Sequence, residues 1–121
     1  VSAFLSELRV ENASGQDDGK WRLTAPLVYQ SDVAGATFTA PAGMVTDFAS
    51  VPRAPFAYML FGDRASEASV IHDYLYGSHL VPRAMADAVL REASAVTGVS
   101  WFARNSMWLG VRAFGWLHWN S

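Results

Sequence analysis

The apolar pattern of the chain changes period near Gly43, and this change limits the fold more than any other feature. Before it, short alternating runs are separated by polar turns. They are FLSELRV at 4–10, WRLTAPLVYQ at 21–30 and ATFTAP at 36–41, with ASGQDDG at 13–19 making the first break. Alternation with a period of two buries one face of a strand, so these segments predict a small antiparallel sheet. Pro26 and Pro41 lack a backbone donor and are expected at an edge, a bulge or a strand end.

After Gly43, MVTDFASVPRAPF at 44–56 holds Pro52 and Pro55 close together, with Met44, Val45, Phe48, Val51 and Phe56 between polar groups. That mixture predicts an ordered loop packed on the core. Helical spacing follows. A first helix is expected over about 66–76, opened by Ser66 or Asp63 and stopped by Gly77. A second runs from near Pro82 to about Thr97, stopped by Gly98, and a third covers about 100–117. The short interval at 77–81 makes the first two helices antiparallel neighbours. The expected fold class is therefore α+β, a small N-terminal antiparallel sheet packed against three C-terminal helices. With 121 residues, the chain is expected to form a single compact domain over 1–121.

About half the residues are hydrophobic (51%) and only 17% are charged, which excludes a chain held open by its own charge. The net charge of -2 and the scattered basic residues provide no broad positive field, so no nucleic-acid partner is expected. Without cysteine there is no disulfide, thiolate ligand or Cys nucleophile. No secretory signal and no transmembrane segment is expected, since the richest apolar stretch, Val99 to Trp119, is interrupted by Arg104 and Arg112. That stretch carries Trp101, Phe102, Met107, Trp108, Leu109, Val111, Phe114, Trp116, Leu117 and Trp119. One small sheet cannot cover so wide an apolar perimeter. Central burial, a partner surface and a membrane interface all remain open to it, and scarce basic residues count against the last.

The polar residues that could carry chemistry cluster in three places. In HDYLY at 72–76, His72 follows Ile71 and precedes Leu75 by three, so it is drawn toward the packed face. Tyr76 is one turn beyond His72, whereas Asp73 points about 100° away from it. His72 and Asp73 therefore suit two adjacent roles, one holding a water or proton and the other a metal. Asp87 lies at the edge of the second helix's apolar face, made by Ala86, Val89, Leu90, Ala93 and Val96, where a lone carboxylate must be paired or bound to a cation. If the two helices are neighbours, Asp87 approaches His72 or Asp73. Paired carboxylates favour a hard divalent cation, calcium or magnesium, with zinc as the alternative through His72 and Asp47, Asp73 or Asp87.

A structural account stands beside the chemical one. His72 then donates to a carbonyl, Asp87 pairs with Arg83 one turn away, and Tyr76 anchors the core. In TDFASVPR at 46–53, Asp47 either locks a turn or joins the cation, and Ser50 caps a short turn rather than acting as a nucleophile. Arg53 either clamps an acid or holds an anionic substrate group or oxyanion. His79 in the interhelical turn and His118 between tryptophans are expected to be solvent-facing and aromatic-packed, respectively. Asn105 and Arg112 form a polar stripe on the third helix, next to the central site.

Taken in order, AGMVTDFASVPR, VIHDYLYG, PRAMAD and WLGVRAFG resemble the family catalogued as domain of unknown function 1353, found largely in tailed bacteriophages and prophages. The similarity runs from about Trp21 to Gly115, with Gly43-Met44 departing mildly from the family's glycine-aromatic pair. It implies a phage or prophage setting, virion-associated or in the host cytoplasm, with tail or late-gene products as partners, and it implies no activity. HDYLY is also similar to the helix motif of secreted phospholipases A2. That similarity implies His72 as the base that orients a water, Asp73 as a calcium ligand and Asp87 as the acid steadying the histidine. The flanking cysteines and glycine-rich calcium loop of those enzymes are missing here.

The leading expectation is a small metal-dependent hydrolase of an ester or amide bond, such as one in the bacterial envelope, peptidoglycan amides included. His72, Asp87 and Arg53 would be catalytic, with Asp73 and Asp47 on the metal. The alternative is a non-enzymatic virion, tail-associated or accessory protein. In that case Tyr76 and Ser50 are structural, and Trp101, Trp108 and Trp116 meet a protein partner.

Overall fold

A computed structural model describes residues 1–15, 20–46 and 66–119 of the chain, apart from the side chain of His118. Asp17, Asp18, Asp47, Ser50 and Arg53 lie outside the described residues. The expected α+β architecture is present, with two small sheets instead of one. The first sheet has the order β1-β4-β5, from Ala3–Phe4, Leu27–Ser31 and Ala36–Ala40. The second has the order β2-β3-β6, from Val10–Asn12, Trp21–Leu23 and Val45–Thr46. All pairings are antiparallel. Pro26 stands immediately before β4 and Pro41 immediately after β5, the strand ends that a residue without an N–H tolerates.

Alternation in β4 and β5 does what a period of two predicts. Leu27, Tyr29 and Ser31 point inward from β4, Phe38 and Ala40 from β5, and Tyr29 is in register with Phe38. Tyr29 also packs its ring 4.6 Å from that of Phe4. One carboxylate ties this sheet to a helix. Glu92 accepts from the Tyr29 and Ser31 hydroxyls, both at 2.8 Å, and from the Val33 N–H at 2.8 Å.

Four helices follow, α1 Ser66–Ser78, α2 Arg83–Val96, α3 Trp101–Phe114 and the short α4 Trp116–Trp119. The ends differ from expectation in one informative place. Gly77 lies within α1, and the left-handed residue that stops the helix is His79, with φ 54° and its N–H on Leu75 O. Such a conformation costs a non-glycine residue on the order of 1–3 kcal/mol. Stacking of the His79 ring on Trp119 at 3.8 Å, with Nε2 against Trp119 O at 3.1 Å, offsets that cost. Gly98 does close α2 as expected, at φ 90°. Ser100 caps α3 by accepting the Ala103 N–H.

The core runs through both sheets and the three long helices, from Leu23 and Leu27 to Ile71, Leu75, Leu90, Met107 and Val111. Of the outcomes open to the third helix, central burial is overturned. Only Ala103, Met107 and Val111 of α3 are buried. Trp101 is 67% exposed, Phe102 62% and Leu109 61%. The reason is geometric, because α3 packs one narrow face on α2 and nothing among the described residues covers the opposite face. Leu90 is fully enclosed between these elements. Leu90→Ala should therefore cost about 2–5 kcal/mol, read as a lower denaturation midpoint with unchanged slope.

Candidate functional site

The polar centre forms where α1, α2 and α3 meet, and helical spacing explains its composition. His72 and Tyr76 are four residues apart on α1, so one face carries both toward Asp87 on α2. His72 Nε2 lies 2.8 Å from Asp87 Oδ1, and the Tyr76 hydroxyl donates to the same oxygen at 2.5 Å. Arg112 of α3 donates to Asp87 Oδ2 at 2.9 Å. Arg83 stands 3.6 Å from that oxygen and donates to the carbonyls of Val111 and Arg112 near the end of α3. A guanidinium at the negative end of a helix is favourable in its own right. His72 and Asp87 are both fully buried.

Protonation follows from these contacts. Burial pushes the Asp87 carboxyl upward, but hydrogen bonds from His72 and Tyr76, the His72 charge and Arg112 outweigh it and hold the group below its ordinary value. Asp87 is thus ionised at neutral pH and can only accept. The nitrogen facing it, His72 Nε2, must carry the proton, which leaves a lone pair on Nδ1 when the ring is neutral. Nδ1 is buried and has no hydrogen-bond partner among the described residues. Burial, followed by the hydrogen bond to Asp87, raises the Tyr76 hydroxyl, so it remains a donor.

Asp73 belongs to a different environment. Its Oδ2 accepts from the Thr46 hydroxyl at 2.7 Å, joining α1 to β6. With Lys20, Met44, Thr46, Tyr74, Tyr76 and His79, Asp73 lines an open groove of about 750 Å³ between the sheet edge and the end of α1. Of the two approaches open to Asp87, the one to His72 is present, whereas Asp73 lines the groove. Tyr76 connects the two places, with its ring toward the groove and its hydroxyl on Asp87.

A family model, DUF1353 (protein of unknown function), matches residues 21–111. The chain belongs to that family. Searches of curated proteins and of solved structures found no match. The matched DUF1353 region contains every member of the polar centre except Arg112, which lies one residue beyond it. Membership carries no activity, so the chemistry has to be argued from the side chains.

Among the described residues, no group of three or more His, Cys, Asp or Glu could hold a metal ion. The expected partner of Asp73 in that role, Asp47, lies outside the described residues, as do Ser50 and Arg53. The Arg83 pairing of the structural account is present but longer than the Arg112 contact. Reading the sequence placed Arg112 on a polar stripe next to the centre, without identifying it as the nearer guanidinium. Glu92 was missed altogether, although its position on the α2 turn following Asp87 was a usable signal. Gly115 was also missed as a site residue. A Cβ there would press on the Val111 carbonyl oxygen and stand 2.5 Å from the Tyr76 hydroxyl oxygen, so glycine makes room both for the helix backbone and for Tyr76 to reach Asp87.

Two outcomes follow. Gly115→Ala should displace the Tyr76 hydroxyl and press on the Val111 carbonyl, so it should destabilise the chain more than Tyr76→Phe does and still cost stability in a Tyr76→Phe background; equal losses in thermal melts, with nothing added in the double variant, would contradict the backbone clash. Asp87 has a depressed folded-state value, so its stabilisation is present at neutral pH and disappears as pH falls from 3.8 through that lower value. Asp87→Asn should cost about 3–5 kcal/mol at neutral pH and flatten the acid limb of a stability-versus-pH curve.

Proposed function

We propose that the chain is a small hydrolase of an ester or amide bond in the bacterial envelope, working in a phage or prophage setting. The observation that carries this reading is the state of His72, with Nε2 tied to the Asp87 carboxylate and Nδ1 left without a partner among the described residues. One ring nitrogen held by an acid and the other available as a lone pair is the arrangement a general base requires. A water on Nδ1 would give up its proton to the ring while its oxygen attacks the carbonyl. Asp87 would stabilise the resulting imidazolium, and the ring would return the proton to the leaving group. Tyr76 and Arg112 hold the Asp87 carboxylate in place for that role.

Arg53 is assigned to the developing oxyanion. A divalent cation, calcium or magnesium before zinc, would take Asp73 together with Asp47 as ligands, polarising the carbonyl. The described residues do not make such a site by themselves, so the proton chemistry is assigned to His72 and Asp87 alone. The groove beside Asp73 and Tyr76 is the space assigned to a substrate. Because His72 is fully buried, the reading also requires water to reach Nδ1.

The purified chain should hydrolyse chromogenic esters, phospholipids or peptidoglycan fragments in the presence of calcium, magnesium or zinc. His72→Gln should lower kcat about 10²–10⁴-fold, and Asp73→Asn should raise the cation requirement. A wild-type chain inactive on all three substrate classes with every ion sinks the enzyme reading.

A second reading is favoured by the exposed apolar side chains of α3 and α4. In it the chain is a non-enzymatic virion, tail-associated or accessory protein, with the polar centre bracing the helices and the aromatic face docking on a partner.

A further inference from the structure

β6 is the outer strand of its sheet, and its outer edge belongs to the groove beside α1. Gly43 aims that edge. At φ 91° it inserts one extra residue opposite Leu23, with its own N–H on Leu23 O at 2.8 Å and Met44 O accepting the Leu23 N–H at 2.9 Å. The Leu23–Met44 bond sets the alternation beyond it. In an antiparallel pair every second residue turns both backbone groups away from its partner strand. Arg22 and Val45 form such a pair, followed by Trp21 and Thr46. The N–H and C=O of Val45 therefore point away from β3, and among the described residues neither has a partner. Met44, Val45 and Thr46 all line the groove. Successive side chains of a strand leave on opposite faces, so a groove touched by three residues in a row runs along the edge.

We propose that this edge binds an extended peptide, one of whose residues pairs with Val45 through both backbone groups, and that the substrate of the groove is accordingly a peptide amide. The inference rests on the groove being the substrate's space, as in the hydrolase reading, and narrows ester or amide to one of them. A donor and an acceptor side by side on one residue match the C=O and N–H of a peptide residue, whereas an ester has no N–H to return. A phospholipid is disfavoured for a second reason. Its acyl chains need a continuous aliphatic wall, and of the groove's side chains only Met44 and Val45 are aliphatic, beside polar Lys20, Thr46, Asp73, Ser78 and His79. Pairing also orients the peptide. In antiparallel register the paired residue shares the face of Val45, and its two neighbours share that of Thr46, whose hydroxyl reaches Asp73. Those neighbours are thus carried to the α1 side of the groove.

The test is an NMR titration of the isotope-labelled full chain with the capped peptide Ac-Ala-Lys-Ala-Glu-Ala-NH2, which has no net charge. The Val45 amide should shift on addition, together with those of Tyr74, Gly77 and His79. Methylating the central N–H of the peptide should weaken binding about tenfold or more, the worth of one hydrogen bond left unmade. Val45→Pro removes only the outward N–H, a change that an edge strand accepts. It should weaken binding by a similar factor while the thermal melt stays in place, and Val45→Ala, which keeps the N–H, should bind as the wild type does. An unmoved Val45 amide, equal binding of the methylated peptide, or undiminished binding by a folded Val45→Pro variant overturns the proposal; should that variant fail to fold, the first two measurements decide. Shifts produced by a chitin tetrasaccharide but not by the peptide make the occupant a glycan and overturn it as well. So does a Val45 shift that follows protein concentration, with a dimer in sedimentation velocity, since the edge then pairs with a second copy. Peptide bound but never cleaved leaves this proposal standing and counts against hydrolysis, whereas ester hydrolysis without peptide binding does the reverse.

Discussion

A single buried carboxylate, Asp87, sets the arrangement of the three long helices. An ionised acid taken out of water costs several kcal/mol unless its oxygens are satisfied. Here α1 supplies His72 and Tyr76 to one oxygen, and α3 supplies Arg112 to the other. The helices must therefore stand where those donors can reach, and small residues follow from that demand. At Gly115 the space a Cβ would need is taken by the Val111 carbonyl oxygen and the Tyr76 hydroxyl.

Glu92 repeats the device at the other end of α2. It lies five residues beyond Asp87, on a different side of the helix, and gathers two hydroxyls and a backbone N–H from β4 and its following turn. One helix thus carries two acids, one locking it to its helical neighbours and one to the first sheet. Both ties are directional, whereas apolar packing alone would let the helix slide, so the register between sheet and helices is held by polar contacts laid over an apolar core.

This construction also sets the terms for chemistry. The contacts that stabilise Asp87 are the ones that orient His72 and leave Nδ1 with its lone pair, so a structural brace and a general base require the same atoms on this side of the ring. What separates the two roles is traffic on the other side, at Nδ1. Asp73, turned away by the helical step of about 100°, meets the groove instead and is fastened to the sheet edge by Thr46.

Much of this was legible in the residues themselves. Period two before Gly43 and helical spacing after residue 66 yield the α+β class, while Pro26, Pro41 and Gly98 mark real ends because their backbone chemistry is local. The four-residue step from His72 to Tyr76, and the need of Asp87 for partners, are likewise written in the chain. Other features required three dimensions. Two sheets form in place of one because strand pairing joins residues far apart, such as Trp21 with Thr46. His79 ends α1 because a distant Trp119 stacks on it. Arg112 outreaches Arg83, and Trp101 of α3 faces outward, because the angle between packed helices decides which side of each is covered. Local sequence determines what each segment tends to be and which groups cannot be left alone; only the assembled fold decides which partner arrives, since that depends on contacts across tens of residues that no short spacing encodes.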